Sequence, residues 1–567
     1  MGKRQKQAVV AMGFAFLIIV IVIGFAVVRK LTPSKERMEL TDYYKIDGSK
    51  ALVIMQDKIY EKEALYEDNT AYMDYETVVS YFNERIYWDG NENVLIYTTP
   101  TEVIKTEVGS KDYYVNKNKQ SMNFPIVKTK GTDVYVALEF VAQFSDMRYT
   151  FYSSPNRVII DYRWEDYLYA SSKKATQLRY EPNIKSDILV DIPVGEVVMY
   201  VDTSDVVANG FSKVMTKEGI IGYVRNKHMG ETYYEAMKSD YVAPIYTNMQ
   251  KEGKINLVWH QVTNKAANNN LIGLLESTKG VNVVSPTWYK VESNEGTISS
   301  LADATYVERA HSLGIEVWAL VDDFNTELDM YELLSYTSRR EKLINELIAE
   351  AIKYNLDGIN IDFEKISLKA GIHFIQFIRE LSIKCRSNNI VLSIDNYVPT
   401  SYSAYYNIKE QGTVADYVII MAYDEHYSGS EVSGSVSSIS FVENAVKNTL
   451  EMVSEDKIIM GVPFYTRLWK EVQEGDEVAV TSEAYGMTAG MNVLKDNGVQ
   501  PEWNEVSKQY YGEFKKEDAL YKIWLEEDES IEAKLKVIFG SNIKGIAGWK
   551  LGLEKESVWN TIIKYVN

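Results

Sequence analysis

The sequence predicts an α/β protein built around a parallel (β/α)8 barrel, preceded by a small β barrel, a small α+β repeat domain and one N-terminal transmembrane helix. Three observations predict it. From Ile255 onward, eight short β-runs alternate with amphipathic helical stretches, the pattern of a parallel sheet closed by crossovers. Residues 175 to about 232 carry close-spaced β-runs broken by Pro and Gly, as small all-β modules do. Ala8 to Val28 contains no charged residue, and at the helical rise it spans about 31 Å, enough for a bilayer core.

Taken in order, residues 1–30 form a short basic stub, with Lys3, Arg4 and Lys6, followed by the apolar run. That run continues to Val28 without a good small-x-small cleavage site, so it reads as a signal anchor rather than a cleaved signal peptide. The charges flanking it do not settle its orientation, because Arg29, Lys30, Lys35 and Arg37 follow it. Residues 31–50 are polar and without periodicity, as in a juxtamembrane linker.

Residues 51–170 contain an internal repeat: Ala71 to Val79 with Trp88 and Val94 to Tyr97 parallels Val134 to Ala142 with Phe151 and Val158 to Ile160. Each copy reads as strand, helix, an Arg (Arg85, Arg148) before an aromatic strand, and a second apolar strand. Residues 171–235 hold the small β module, with Ile192-Pro193-Val194-Gly195 and Gly219-Ile220-Ile221-Gly222-Tyr223-Val224 as its clearest runs.

The barrel domain occupies 250–567. Its predicted strands are Asn256 to His260, Val281 to Pro286, Glu316 to Val321, Gly358 to Glu364, Val391 to Tyr397, Tyr417 to Tyr423, Lys457 to Pro463 and Gly545 to Trp549. The helix before the fourth strand opens on Ser338-Arg339-Arg340-Glu341, a capping-box pattern, and carries Leu343, Ile344, Leu347, Ile348, Ala351 and Ile352 on one side. Residues 470–544, between the last two strands, exceed a plain crossover. With Trp503, Tyr510, Tyr511, Tyr521 and Trp524, that insertion is expected to wall one side of a cleft, or to bury those rings in its own core.

Chemistry concentrates at Leu356-Asp357-Gly358-Ile359-Asn360-Ile361-Asp362-Phe363-Glu364. Period-two alternation puts Gly358, Asn360, Asp362 and Glu364 on one face and Ile359, Ile361 and Phe363 on the other. Acids are costly to bury unless paired or used, so a barrel strand that turns Asn, Asp and Glu inward near its carboxyl end marks a site. Asp357 has the opposite parity and reads as structural.

Position by position, the segment resembles the signature of glycoside hydrolase family 18, the chitinase and endo-N-acetylglucosaminidase family. Its one departure is Asn360, where Asp is more usual, which removes a charge that could share a proton with Asp362. Two further motifs fall in the right order: Met421-Ala422-Tyr423-Asp424 on the sixth strand and Gly548-Trp549-Lys550-Leu551-Gly552 on the eighth. These are most similar to the spore and cell-wall lytic branch. The resemblance implies a retaining, substrate-assisted glycosidase in which the acetamido oxygen of the substrate attacks the anomeric carbon. It implies Glu364 as acid and then base, Asp362 as orienter of the acetamide, Tyr423 as hydroxyl donor to its oxygen and Trp549 as the floor under the sugar. Asn360, Asp424 and Met421 are implied as substrate-side neighbours. No cofactor and no metal is implied.

The repeat of 51–170 resembles the N-terminal domain of copper amine oxidases, but no His or Cys lies between residues 31 and 170, so no copper site is expected. The 171–235 module resembles a bacterial SH3-like domain, with Phe211 where Trp is frequent; wall binding and simple support of its neighbours are both open.

Net charge of −19 argues against nucleic acid and against electrostatic adhesion to anionic polymers, so a glycan would be held by stacking and hydrogen bonds. The single cysteine, Cys385, excludes an intramolecular disulfide and reads as a core residue. His260 and His426 lie at strand ends, open between site roles and simple hydrogen bonding. The expected partners are an N-acetylglucosamine-containing polysaccharide, peptidoglycan or chitin, and a membrane, with the catalytic domain outside it. A glycan-binding protein on a retired barrel and an envelope scaffold are the competing classes; the signature Asp and Glu are both present.

Overall fold

The computed structural model describes residues 2–201 and 210–567. The chain divides into two compact units: one of Met1–Ile86, Thr106–Tyr113 and Lys119–Ala243, the other of Tyr87–Lys105, Tyr114–Asn118 and Pro244–Asn567.

In the first unit, α1 (Lys3–Leu31) is one continuous helix of 29 residues, none buried, long and apolar enough to cross a membrane. The segment after it is not a plain linker. Ser34 N–H donates to Ile184 O (2.8 Å), Ile188 N–H to Glu36 O (2.9 Å) and Met38 N–H to Ile188 O (3.1 Å), and Tyr44 is buried with its hydroxyl on Gly219 O (3.0 Å). A polar stretch without periodicity can still pair through its backbone, here as an isolated parallel bridge between Arg37 and Ile188.

Both repeat copies fold as strand, helix and hairpin: Thr70–Asp74, Tyr75–Phe82 and Ile86–Asp89 with Val94–Thr98, then Asp133–Ala137, Leu138–Gln143 and Arg148–Tyr152 with Arg157–Asp161. Their hairpins part company. The second lies in the sheet beside Lys50–Met55, whereas the first joins another sheet and, from Tyr87, counts with the barrel unit. Seven antiparallel strands between Asp166 and Ala236 form the second β layer, which therefore starts a few residues before the expected boundary at 171; residues 202–209 of that module lie outside the described residues.

In the second unit, eight parallel strands close on themselves: β1 (Ile255–His260), β2 (Val283–Val291), β3 (Glu316–Asp322), β4 (Gly358–Asp362), β5 (Val391–Tyr397), β6 (Tyr417–Met421), β7 (Ile458–Pro463) and β8 (Gly545–Trp549). Alternation builds two cores. Outward residues such as Val317, Ile359, Ile361, Leu392 and Ile394 pack beneath the helices. Inward ones such as Trp259, Trp318, Leu320 and Tyr417 fill the barrel, with Trp318 and Tyr417 stacked at 5.3 Å. Gly358 is required by this filling, since a Cβ there would meet the Trp318 ring at 2.6 Å. Cys385 is buried in the helix Gly371–Ser387.

The helix before β4, α2 (Thr337–Tyr354), corrects the capping expectation. It starts one residue early, and no local side chain caps it. Asp89 and Glu92 do so from far away in sequence: Asp89 Oδ2 accepts from Thr337 N–H (2.7 Å) and Oγ1 (2.6 Å), and Glu92 Oε2 from Ser338 N–H (2.9 Å). Ser338 is thereby engaged outward, and no box forms. Leu343, Ile344, Leu347, Ile348 and Ala351 are buried as expected, but Ile352 is 59% exposed, one step round the helix from the stripe.

Replacing Asp89 with Ala removes the Thr337 half of the cap and should destabilise the first turn of α2 by about 1–2 kcal/mol. Amide exchange in residues 338–341 should speed up by about 10-fold or more; unchanged exchange there would refute the capping role.

Candidate active site

β4 carries Asp362 at its inward-facing end, and Glu364 follows two residues beyond the strand. What fixes Glu364 is the neighbouring strand. The buried Asp323, just past β3, accepts the Glu364 N–H (3.0 Å) on one oxygen and the Lys365 N–H (2.9 Å) on the other. The two acids share a cavity of about 150 Å³ with Trp259, Phe324, Asp395, Tyr397, Met421, Tyr423, Asp424 and Trp549.

Every residue expected at the site is in or against this cavity. Tyr423 is buried edge-on to Trp259, and Trp549 meets the same indole at 5.9 Å. Met421 lies at the end of β6. Asp424 takes positive φ (57°) as the chain leaves that strand, and its carboxylate accepts from the Tyr465 hydroxyl. Asn360 sits one layer deeper: its Oδ1 accepts from Trp259 Nε1 and Ser285 Oγ, both at 3.1 Å, and its Nδ2 donates to Asp395 Oδ1 at 2.8 Å.

Outside the cavity, Asp357 holds His311 Nε2 and the Val317 N–H, both at 2.8 Å, on the helix side of the barrel. The buried His260 stacks on Tyr306, and burial pushes it down to about 4. His426 bonds the Ser435 carbonyl. The insertion between β7 and β8 forms a five-stranded antiparallel sheet, and none of its expected aromatics lines the cavity. They pair with one another instead, Trp503 with Tyr510, Tyr511 with Trp524 and Phe514 with Tyr521, because facing strands of one sheet bring them into register.

Asp395 and Tyr397 were not singled out by the motifs. The signal was available: on Val391–Tyr397 the same period-two count puts Ser393, Asp395 and Tyr397 inward.

Electrostatically the cavity is one-sided, since its lining includes four carboxyl groups and no basic residue. Burial, reinforced by Asp395 and Glu364, holds Asp362 well above the usual carboxylate range. Burial pushes Asp395 up to about 8, against the hydrogen bond from Asn360, and Asp323 up to about 6. Glu364 is also raised by burial, with Asp424 and Asp322 adding to it and the Tyr397 hydroxyl, which donates to Glu364 Oε2, opposing it. A carboxyl whose proton affinity is raised beside a second acid is suited to acid catalysis of bond cleavage.

A closed parallel barrel with such acids at the carboxyl ends of its strands has its active site where this fold places it. Comparison with known proteins makes the family specific. Residues 325–554 match the profile Glycosyl hydrolases family 18, and residues 53–160 match the Copper amine oxidase N-terminal domain. The barrel is a family 18 glycosyl hydrolase domain, and it makes this chain an enzyme of the glycoside hydrolase class. The uncharacterized glycosylase YvbX of Bacillus subtilis is 25% identical over 299 residues, covering 50% of this chain and 84% of that protein. The cortical fragment-lytic enzyme of the same species is 25% identical over 244 residues, covering 42% of this chain and 56% of that protein. The spore cortex-lytic enzyme SleL of Bacillus cereus shares the fold with a TM-score of 0.50 at 19% identity, covering 59% of this chain and 78% of that one. The amine-oxidase-like module, lacking His and Cys, does not fit a copper ion.

Because the Tyr397 hydrogen bond favours the ionised form of Glu364, Tyr397→Phe should raise the pH at which Glu364 titrates. Carbon NMR of labelled Glu carboxyls, assigned with Glu364→Gln, checks this; an unchanged or lowered midpoint would contradict the assignment of that bond.

Proposed function

We propose that this chain is a retaining, substrate-assisted glycosidase that hydrolyses β-1,4 linkages of N-acetylglucosamine-containing glycans, with peptidoglycan as its substrate. The observation that carries this reading is Glu364 and Asp362 sharing one cation-free cavity with Tyr423 and Trp549. Glu364 protonates the leaving oxygen. Asp362 accepts the acetamide N–H, so that the carbonyl oxygen is turned onto the anomeric carbon and the developing positive charge is balanced. Tyr423 donates to that oxygen, and Trp549 supports the apolar face of the sugar. Glu364 then deprotonates the water that opens the cyclised intermediate. Two inversions give retention. Peptidoglycan is favoured over chitin by the two relatives named for cortex lysis.

The test is mass and anomeric analysis of products from purified peptidoglycan and from chitin oligomers. Retained configuration, a requirement for the 2-acetamido group and inhibition by a thiazoline mimic are expected. Rapid hydrolysis of a matched glucoside lacking that group would refute substrate assistance, and cleavage of chitin alone would move the substrate to chitin. Glu364→Gln should lower kcat by about 10²- to 10⁴-fold with the fold intact; near-normal turnover would remove Glu364 from its role.

The reading includes location: α1 anchors the chain in the cell membrane, with the barrel outside. A helix of this length and composition inserts essentially irreversibly, unlike an electrostatic attachment. The full chain should therefore resist high-salt washing and leave the membrane only in detergent, and external protease should remove the barrel from wall-stripped cells. A mature protein beginning shortly after Val28 would show a cleaved signal instead.

A further inference from the structure

Asn360 dictates the polarity of its neighbours. Its Oδ1 is taken by two donors, Trp259 Nε1 and Ser285 Oγ, so its N–H groups face away from them, and one donates to Asp395 Oδ1. That oxygen is therefore an acceptor, and a proton on Asp395 belongs on Oδ2. Asp395 Oδ2 and Asp362 Oδ1 are both buried without a hydrogen-bond partner. They belong to adjacent parallel strands, where Asn360 is in register with Ser393, so two residues further along Asp362 comes beside Asp395. Both line the cavity. The other titratable groups around the pair are Glu364, Asp322, Asp323, Tyr397 and Tyr423, none of which supplies positive charge. Two ionised carboxylates there would repel strongly; one proton between them satisfies both oxygens and leaves a single charge.

We propose that Asp362 and Asp395 hold one proton in common, and that Asp395 is a positioning residue that takes this proton on Oδ2 whenever Asp362 accepts the substrate's acetamide N–H as a carboxylate. The proposal rests on the function given above. In the transfer, the O–H bond at Asp362 breaks and one at Asp395 forms; the pair carries one negative charge throughout, and the proton returns when product leaves. The raised proton affinity of both groups agrees with it. Asp395 thus supplies, from the next strand, the proton partner that Asn360 cannot be.

Two measurements test it on the detergent-solubilised full chain. Infrared spectra near pH 7 are taken in a Glu364→Gln background, which silences that carboxyl. A protonated carboxyl band is expected that is shifted or abolished by Asp395→Asn and equally by Asp362→Asn. No such band, or a band that only one substitution alters, overturns the sharing. In the kinetic arm, Asp395→Asn should lower kcat and kcat/KM together by about 10- to 100-fold. Adding Asn360→Asp, which exchanges donor and acceptor of the same hydrogen bond and returns a carboxyl beside Asp362, should restore at least about half of that loss on a logarithmic scale. Activity of Asp395→Asn within about twofold of wild type, or a double variant no better than the single, overturns the positioning role. If Asp395→Asn alone does not fold, the double variant carries the test: it must keep both the shared band and the activity. The infrared arm needs no substrate, so a wild-type chain that cleaves no glycan defeats the functional reading without deciding the proton's location.

Discussion

Taking Asp323, Asp362 and Asp395 out of water at one end of a barrel, with no Lys or Arg among the residues lining the cavity, is the constraint around which the catalytic face is arranged. A buried acid costs several kcal/mol unless it is hydrogen-bonded, paired or left protonated. Neutral donors hold most of them: Asp323 receives two backbone N–H groups and Asp395 the Asn360 amide, and at the more open edge the half-buried Glu364 receives the Tyr397 hydroxyl and the exposed Asp424 the Tyr465 hydroxyl. Neutral donors hold an acid in place without fixing it as an anion. An Arg in the same position would depress the proton affinity and remove the acid function.

The same chain buries acids in the opposite way where nothing has to move a proton. Arg340 meets Glu380, Arg379 meets Glu410 and Lys534 meets Glu526, all buried and all among the helices and the insertion. Those pairs fix the geometry of packed elements, and removing one partner would leave an uncompensated charge. The contrast separates structural from functional carboxylates where burial does not, because Asp323, Asp362 and Asp395 are as deeply buried as Glu380, Glu410 and Glu526.

Period-two alternation made most of the barrel readable. It gave all eight strands to within a few residues and oriented Asn360 and Asp362, since a strand packed on both faces cannot slip without exchanging its two sets of side chains. What was not readable is non-local. The cap of α2 comes from Asp89 and Glu92, and the 31–50 segment pairs with Ile184 and Ile188; no local pattern announces either. The insertion's rings were legible as aromatic but not as partners of one another, because cross-strand register decides that. Asp395 and Tyr397 are a different kind of omission, reachable by the parity argument that found Asp362 but outside the motifs that directed attention to it.

The cavity is also asymmetric around the barrel. β3, β4 and β5 lead to the carboxyl groups of Asp323, Asp362, Glu364 and Asp395 together with the Tyr397 hydroxyl, whereas β1, β6 and β8 lead to Trp259, Met421, Tyr423 and Trp549, with Asp424 as the one lining acid on that side. A sugar has the matching asymmetry, with polar edges and a flatter apolar face. Adjacent strands are what allow acids to sense one another, so grouping Asp362, Glu364 and Asp395 in one sector couples their protons. Placing the aromatic groups opposite supplies a dry wall that keeps that coupling strong. The exchange of Asp for Asn at 360 fits this arrangement: within a sector, the proton partner of Asp362 can move one strand over without leaving the acidic half of the site.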